Sequence, residues 1–516
     1  MTNTASTLYE VIQLNAQQHP NRTAIVFRDS ACTYADIYIS ATRLANALRA
    51  RGIGQGDRVA LLLPNCPQFT IAYYAAAALG AVCTPANPLL KAPELAYMWA
   101  DSDAKVVIAA APLAPTAGDA IERTGAPRRL IIVGEAPEGI GAHESFDALV
   151  EEGQFEPLDT AEISPQSPAV CIYTSGTTGR PKGALLSHHN LLTNCRQIKQ
   201  VLDIGPNDTF LTALPLFHSF AGTVCQNASL YSGACSAYLE GFHPGKVIET
   251  ILKHRVTIFP GVPAMFAALL QIPEDRTPNL SGLRLCVSGG APMPLSVMQA
   301  FEQRYGVIIL EGDGPTECSP VTAVNPPKGV RKPGSIGLPV PGCDMRIFDE
   351  HDREVPIGQV GEIVVRGDNV MLGYHNLPEA TAEAKRNGWY HTGDLGYRDE
   401  DGYFYIVDRK TDMIIVGGIN VYPREVEERL YAHPAVADAA VIGRPDALRG
   451  EEPIAIVVLK PGMSATEREL IAFCREELAN YKVPRAVLFR DTMPRSDTGK
   501  ILKRLLRKEL ELEARS

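Results

Sequence analysis

The sequence predicts an α/β chain in two parts. A large N-terminal domain has parallel-type sheets covered by helices plus a small β region, and a smaller C-terminal domain is α+β. Three observations predict this. Through about the first 340 residues, nearly continuous apolar runs alternate with helical patterns, as do strands buried on both faces of a parallel sheet. From about Gly334 the texture changes to short strands parted by Gly and Asp turns. After residue 408 it changes again, to amphipathic helices alternating with apolar strands. At 516 residues the chain is also too long for one ordinary core.

The elements follow in order. The start, "MTNTASTLYEVIQLN", has neither the basic nor the apolar region of a secretory signal. "DRVALLLPN" is a strand leading into a helix from about Pro67. The longest apolar run, "FTIAYYAAAALGAVCTPA", is interrupted by Gly80 and ended by Pro85. It predicts a buried helix to about Leu79 and then a short strand, not a membrane span. "AKVVIAAA" and "RRLIIVG" are strands, and "LRLCVSGG" is a strand before the helix "PLSVMQAFEQRYG". "MRIFDEHDREVP", "GEIVVRG" and "DGYFYIVD" fit a β meander. The domain break is placed at residues 408–411, giving domains 1–408 and 409–516. Beyond it, the helix "PREVEERLYAH", strands "VADAAVIG" and "PIAIVVLK" and the helix "TERELIAFCREELA" complete an α+β unit. The final "KILKRLLRKELELEA" is a basic amphipathic helix. Docking on its own domain suits it best, and peripheral membrane contact stays open.

Composition narrows the class. A net charge of −10 with both signs scattered offers no basic field for nucleic acid. Eleven cysteines without a CxxC pair read as small buried hydrophobes in a reducing compartment, so a cytoplasmic location is expected, with no disulfide framework or zinc site.

The chemistry begins at residues 173–183, "YTSGTTGRPKG", directly after the apolar "SPAVCI". It is not a Walker A loop, since Pro181 rather than Gly precedes Lys182. Gly176 and Gly179 free backbone amides, Thr174, Ser175, Thr177 and Thr178 supply hydroxyls, and Lys182 supplies a charge. From the residues alone this is a loop for a phosphate chain.

The full string resembles the signature of the adenylate-forming superfamily, which includes acyl-CoA synthetases, firefly luciferase and peptide-synthetase adenylation domains. The resemblance recurs in the family's order at "PLFHSF" (215–220), "SGGAPM" (288–293), "GDGPTE" (312–317), "WYHTGD" (389–394), "DRKTDMIIVGG" (408–418) and "RSDTGKI" (495–501). It implies that a carboxylate is joined to the α-phosphate of ATP with loss of pyrophosphate, and that the acyl group then passes to the thiol of CoA. Between the steps the small domain would rotate about a hinge at Lys410 and Thr411. The loop from Thr174 to Lys182, with Gly289, Gly290, Ala291, Asp313, Gly314 and Thr316, would hold ATP. Asp394 matches the acid that binds both ribose hydroxyls, and Arg409 the ribose or phosphate arginine. Glu317 and Thr174 match the Mg²⁺ position.

Lys500 matches the catalytic lysine, whose ammonium would lie between the acid and the α-phosphate. Read only as a charge at a helix start it would be misplaced, which favours the functional role. Gly417 and Gly418 match the glycines lining a pantetheine tunnel, and His218 the residue that opens the path to the thioester. The acyl pocket would draw on residues 217–220, 262–266, 288–293 and 320–324, with Phe217, Phe220, Val262, Met265, Gly290 and Val321 on its wall. These are mostly apolar or small, which suits a tail held by burial at about 0.8 kcal/mol per CH₂.

Two positions depart from the pattern. Asp313 stands where most relatives stack an aromatic on adenine, and Thr411 where many carry Lys or Asp. "PLFHSFAG" contains no acid to hold an amino group, so an α-amino acid is not the expected substrate. The chain thus resembles AMP-forming medium- and long-chain fatty acid–CoA ligases. Its expected partners are a small carboxylic acid, ATP and CoA, with a homodimer left open. An aryl or arylpropenoate CoA ligase is the alternative. Loading of an acyl-carrier protein, or a non-catalytic nucleotide-binding regulator suggested by Asp313, stands behind it.

Overall fold

The computed structural model describes residues 5–127, 129–174, 180–273, 278–417, 419–446, 448–496 and 500–513. Two large sheets build the N-terminal part. In the first, the strands Thr23–Phe27, Cys235–Tyr238, Thr209–Thr212, Ile258–Gly261, Leu285–Ser288 and Ile309–Asp313 run parallel, with short antiparallel strands at both edges. In the second, Arg58–Leu62, Val82–Pro85, Ala104–Ala110, Arg129–Val133 and Pro168–Thr174 are parallel, and Lys182–Ser187 turns back antiparallel on the last of them. The apolar strands sit between helical layers, as their lack of polar alternation requires. The helix Pro67–Ala78 is buried throughout residues 69–78, inside the core that both sheets share. Among the described residues no helix is long and apolar enough to cross a membrane.

The meander is a four-stranded antiparallel sheet of Asp344–Phe348, Gly361–Arg366, Tyr390–Arg398 and Phe404–Arg409. "MRIFDEHDREVP" holds a single strand of this sheet, because the Asp349 carboxylate accepts the backbone N–H groups of His351 and Arg353, at 2.9 and 3.0 Å, and curls the chain into a turn. Arg409, assigned by composition to the second domain, ends a strand of this sheet.

The small domain packs the helices Pro423–Tyr431 and Glu467–Glu477 against a five-stranded sheet with its own core around Val426, Leu430, Val441 and Leu470. The last helix is Lys503–Glu513, three residues later than the sequence pattern begins. Its Leu506 is buried against Ala440, Ile442 and Ile456, so it docks on its own domain. Ahead of it, the Ser496 N–H donates to the Lys500 carbonyl at 2.7 Å, and Ile501 pairs with Arg495. Lys500 therefore precedes the helix and is tied back to Ser496 and Arg495, so the helix-start comparison does not apply to it.

Candidate active site

Three parallel strands end in the motif loops: Pro168–Thr174, Leu285–Ser288 and Ile309–Asp313. Carboxyl ends of parallel strands are where open α/β sheets place ligands. Thr174 is paired in register with Lys182, and its hydroxyl donates to the Lys182 carbonyl at 3.4 Å. Ser175, Gly176, Thr177, Thr178 and Gly179 lie outside the described residues. The Lys182 ammonium lies 5.1 Å from the centre of the Tyr374 ring, a cation–π distance, and the Tyr374 hydroxyl donates to Glu317 Oε1 at 2.9 Å. Tyr374 thus joins two expected site residues. It escapes sequence reasoning because nothing in "MLGYHN" marks it.

Thr316 and Glu317 stand on a single 3₁₀ turn, Thr316–Cys318. The Thr316 hydroxyl is 2.9 Å from that of Ser219, which ties "GDGPTE" to "PLFHSF". Gly314 is required sterically, since a Cβ there would lie 2.1 Å from the Pro320 carbonyl oxygen. Gly289 is packed against the Phe220 ring and the Gly312 carbonyl, each 3.4 Å from where its Cβ would be. Gly290 has φ +78°, and its Cβ would meet Val262 at 3.6 Å, while Ala291 follows in the same loop. Val262 and Met265 are buried, and Phe217, Phe220 and Val321 are half-buried. Val321 is held at both backbone groups by Asn194: its N–H donates to Asn194 Oδ1 at 3.1 Å and its carbonyl accepts from Asn194 Nδ2 at 2.7 Å. Phe220 and Val262 thus border the Gly289–Gly290 loop, and the other expected acyl-pocket residues are apolar and buried or half-buried.

The charged groups converge on the meander's last strands. Asp394 and Arg409 are register partners, with Arg409 Nε 3.3 Å from Asp394 Oδ1. The Arg409 charge also reaches Asp412, Asp313 and Glu317. Lys500, delivered by the small domain, lies within electrostatic reach of Arg409, Asp394, Asp412 and Asp313, and of His218. Burial, then the Arg409 charge, lowers the Lys500 ammonium to about 8. His218 Nδ1 accepts the Phe220 N–H at 3.2 Å, so the ring proton rests on Nε2. Burial first, then Lys500, brings this imidazole down to about 4, so it is neutral at pH 7. Burial and the neighbouring Asp394 charge push Asp313 up to about 7, against the pull of the Gly314 N–H, Arg409 and Lys500.

At the expected hinge, the Lys410 N–H donates to the Gly393 carbonyl at 2.9 Å, and Thr411 is exposed. Gly417 has φ +59° and open space where its Cβ would be, and its N–H donates to the Arg449 carbonyl at 2.7 Å. Gly418 lies outside the described residues. Cations from both domains and hydroxyls at the strand ends can hold a polyanion here, and Phe220 and Val262 put apolar surface beside the Gly289–Gly290 loop.

Comparison with known proteins gives three kinds of match. The model of the AMP-binding enzyme family matches residues 12–375, and that of the AMP-binding enzyme C-terminal domain matches residues 425–500. The chain is 40% identical to a long-chain-fatty-acid–CoA ligase of Bacillus subtilis, covering 98% of this chain and 94% of the relative. It is 41% identical to a feruloyl-CoA synthase of Amycolatopsis, covering 95% and 96%. Among solved structures, an anthranilate CoA ligase in complex with anthranoyl-AMP superposes with a TM-score of 0.94 at 30% identity, over 99% of this chain and 98% of that one.

Proposed function

Since the chain belongs to the AMP-binding enzyme family and is an AMP-forming acyl-CoA synthetase, we propose that it activates a medium- or long-chain fatty acid through the residues gathered above. The observation that supports the site assignment is the Arg409–Asp394 pair, 3.3 Å apart, with Lys500 of the small domain within electrostatic reach of both and of His218. In the first step an oxygen of the substrate carboxylate attacks the α-phosphorus of ATP and pyrophosphate leaves. Two anions meet there, and the Lys500 ammonium offsets the charge that grows between them. Asp394 takes the ribose hydroxyls, Arg409 the ribose or phosphate side, and Thr174, Lys182 and their loop the outer phosphates. In the second step the CoA thiol attacks the acyl carbonyl carbon and AMP leaves, the thiol entering past Gly417 and Gly418 with neutral His218 beside its path.

Glu317 and Thr174 would hold Mg²⁺. Among the described residues no group of three or more His, Cys, Asp or Glu could hold a metal ion. A single buried carboxylate, Glu317, suits a cation that completes its shell with water and substrate phosphates. Such an ion would neutralise phosphate charge and orient the leaving group. We place the protein in the cytoplasm, because its eleven cysteines are all free thiols.

The apolar side chains of Phe217, Phe220, Val262, Met265 and Val321 support an alkyl tail. The likeness to a feruloyl-CoA synthase and to an anthranilate CoA ligase favours an aryl or arylpropenoate acid as the second reading. Acid-dependent ATP–pyrophosphate exchange with acids from acetate to palmitate, plus benzoate and coumarate, separates the two. The fatty-acid reading expects kcat/KM to climb with chain length. A maximum on coumarate or benzoate replaces it with the second reading.

A further inference from the structure

The strand bulge at Gly393, next to Asp394, is held by a side chain not yet given a role. Glu362, in the strand Gly361–Arg366, lies opposite Leu395 in register and is only 8% exposed. Its Oε1 accepts the Gly393 N–H at 3.1 Å. Its Oε2 faces three basic groups: His391 Nδ1 at 3.3 Å, Arg386 Nη2 at 3.5 Å and Lys410 Nζ at 3.6 Å. Gly393 has φ +75°, a left-handed conformation that needs outside support, and its carbonyl accepts the Lys410 N–H. On one side of it the Thr392 hydroxyl donates to the Ile363 carbonyl at 2.8 Å and accepts the Asp394 N–H at 3.0 Å. The backbone next to Asp394 is thus pinned at two points to the strand that carries Glu362.

A carboxylate this buried is retained at a cost unless its bonds do something. Here one oxygen fixes the backbone from which Asp394 projects, and the other is neutralised by basic groups. One of these, Lys410, stands at the expected hinge. We propose that Glu362 is a positioning residue for the nucleotide. By holding the Gly393 bulge it aims the Asp394 carboxylate at the ribose hydroxyls. This rests on the reading of Asp394 as the ribose ligand.

Pyrophosphate exchange with ATP, 2′-deoxy-ATP and 3′-deoxy-ATP tests it. The natural protein should prefer ATP by about tenfold in kcat/KM over either analogue, the size of a lost hydrogen bond to a charged group. Equal use of all three overturns the ribose reading and the proposal with it. Glu362→Ala should raise KM for ATP about tenfold and leave KM for the deoxynucleotides within about threefold, so that the preference collapses while kcat and KM for the acid hold. Glu362→Gln keeps an oxygen for the Gly393 N–H and should keep the preference. If the natural protein prefers ATP but Glu362→Ala keeps that preference in full, or all three nucleotides lose equally, Asp394 reads ribose without help from Glu362 and the proposal fails alone. Should the Ala variant not fold, Glu362→Asp, one methylene short of Gly393, takes its place under the same outcomes.

Discussion

Lys500 and Asp313 show how one cluster sets two opposite titrations. Burial and the Arg409 charge hold the Lys500 ammonium down near 8, and adenylation needs it charged. A lysine is charged below its pKa, so kcat/KM for ATP in pyrophosphate exchange should fall about tenfold per pH unit above that value. In Lys500→Arg whatever activity remains should lack this limb, and a limb that persists there would assign it to another group. Asp313 is pushed up by burial and by Asp394, so its carboxylate repels the group expected to hold ribose while offering adenine no stacking face. Asp313→Tyr should remove that repulsion and supply a stack of about 0.5–1.5 kcal/mol, lowering KM for ATP by up to about tenfold with little change in kcat. Steady-state kinetics at saturating acid and CoA decide this. A roughly hundredfold loss of kcat would instead give Asp313 a part in the chemistry.

Among the elements, the strand-end loops are fixed sterically, and single methyl groups test them. A Cβ on Gly314 would sit 2.1 Å from the Pro320 carbonyl oxygen, which is backbone and cannot swing away. Gly314→Ala should therefore cost about 1–3 kcal/mol, and by shifting Thr316 and Glu317 it should depress exchange more than the melting temperature suggests. Gly118, inside the helix Ala114–Thr124 with nothing near its Cβ position, is the contrast, and Gly118→Ala should stabilise by about 0.5–1 kcal/mol. Denaturant melts of both variants provide the check. The same elements mark how far the sequence was legible. Strands such as Arg58–Leu62 and Leu285–Ser288 declare themselves, because a strand buried on both faces must be apolar throughout. Lys182, Asp394 and Lys500 were proposed from motif strings. Tyr374, Glu362 and Asp412 were not, since their importance lies in partners distant in sequence: Glu317 for the first, the Gly393 bulge for the second and the Lys500–Arg409 charges for the third. Hydrogen bonds also override periodicity, as where the bond from the Ser496 N–H to the Lys500 carbonyl precedes a helix that starts only at Lys503.

At the scale of the whole molecule, the two half-reactions make competing demands on the small domain. Lys500 is carried by a segment tied firmly to that domain: Lys503 pairs with Glu427 at 2.8 Å and Arg507 with Asp412 at 2.7 Å. It cannot leave the site without the domain moving as a body. Gly417 rides on the same domain, in a turn that faces open space while Lys500 is among the charges of the large domain. On the proposed reading this arrangement serves adenylate formation, and a different one brings the Gly417 turn to the thiol path. Lys500→Ala should then reduce pyrophosphate exchange by about a hundredfold or more, the scale of one removed electrostatic donor, yet leave thioester formation from supplied acyl-adenylate within about threefold. Acyl-adenylate plus CoA, followed by thioester release, measures the second step alone. Equal loss of both would mean that Lys500 supports the fold of the site or acts in both arrangements. In either case the division of labour between the two faces of the small domain would be wrong.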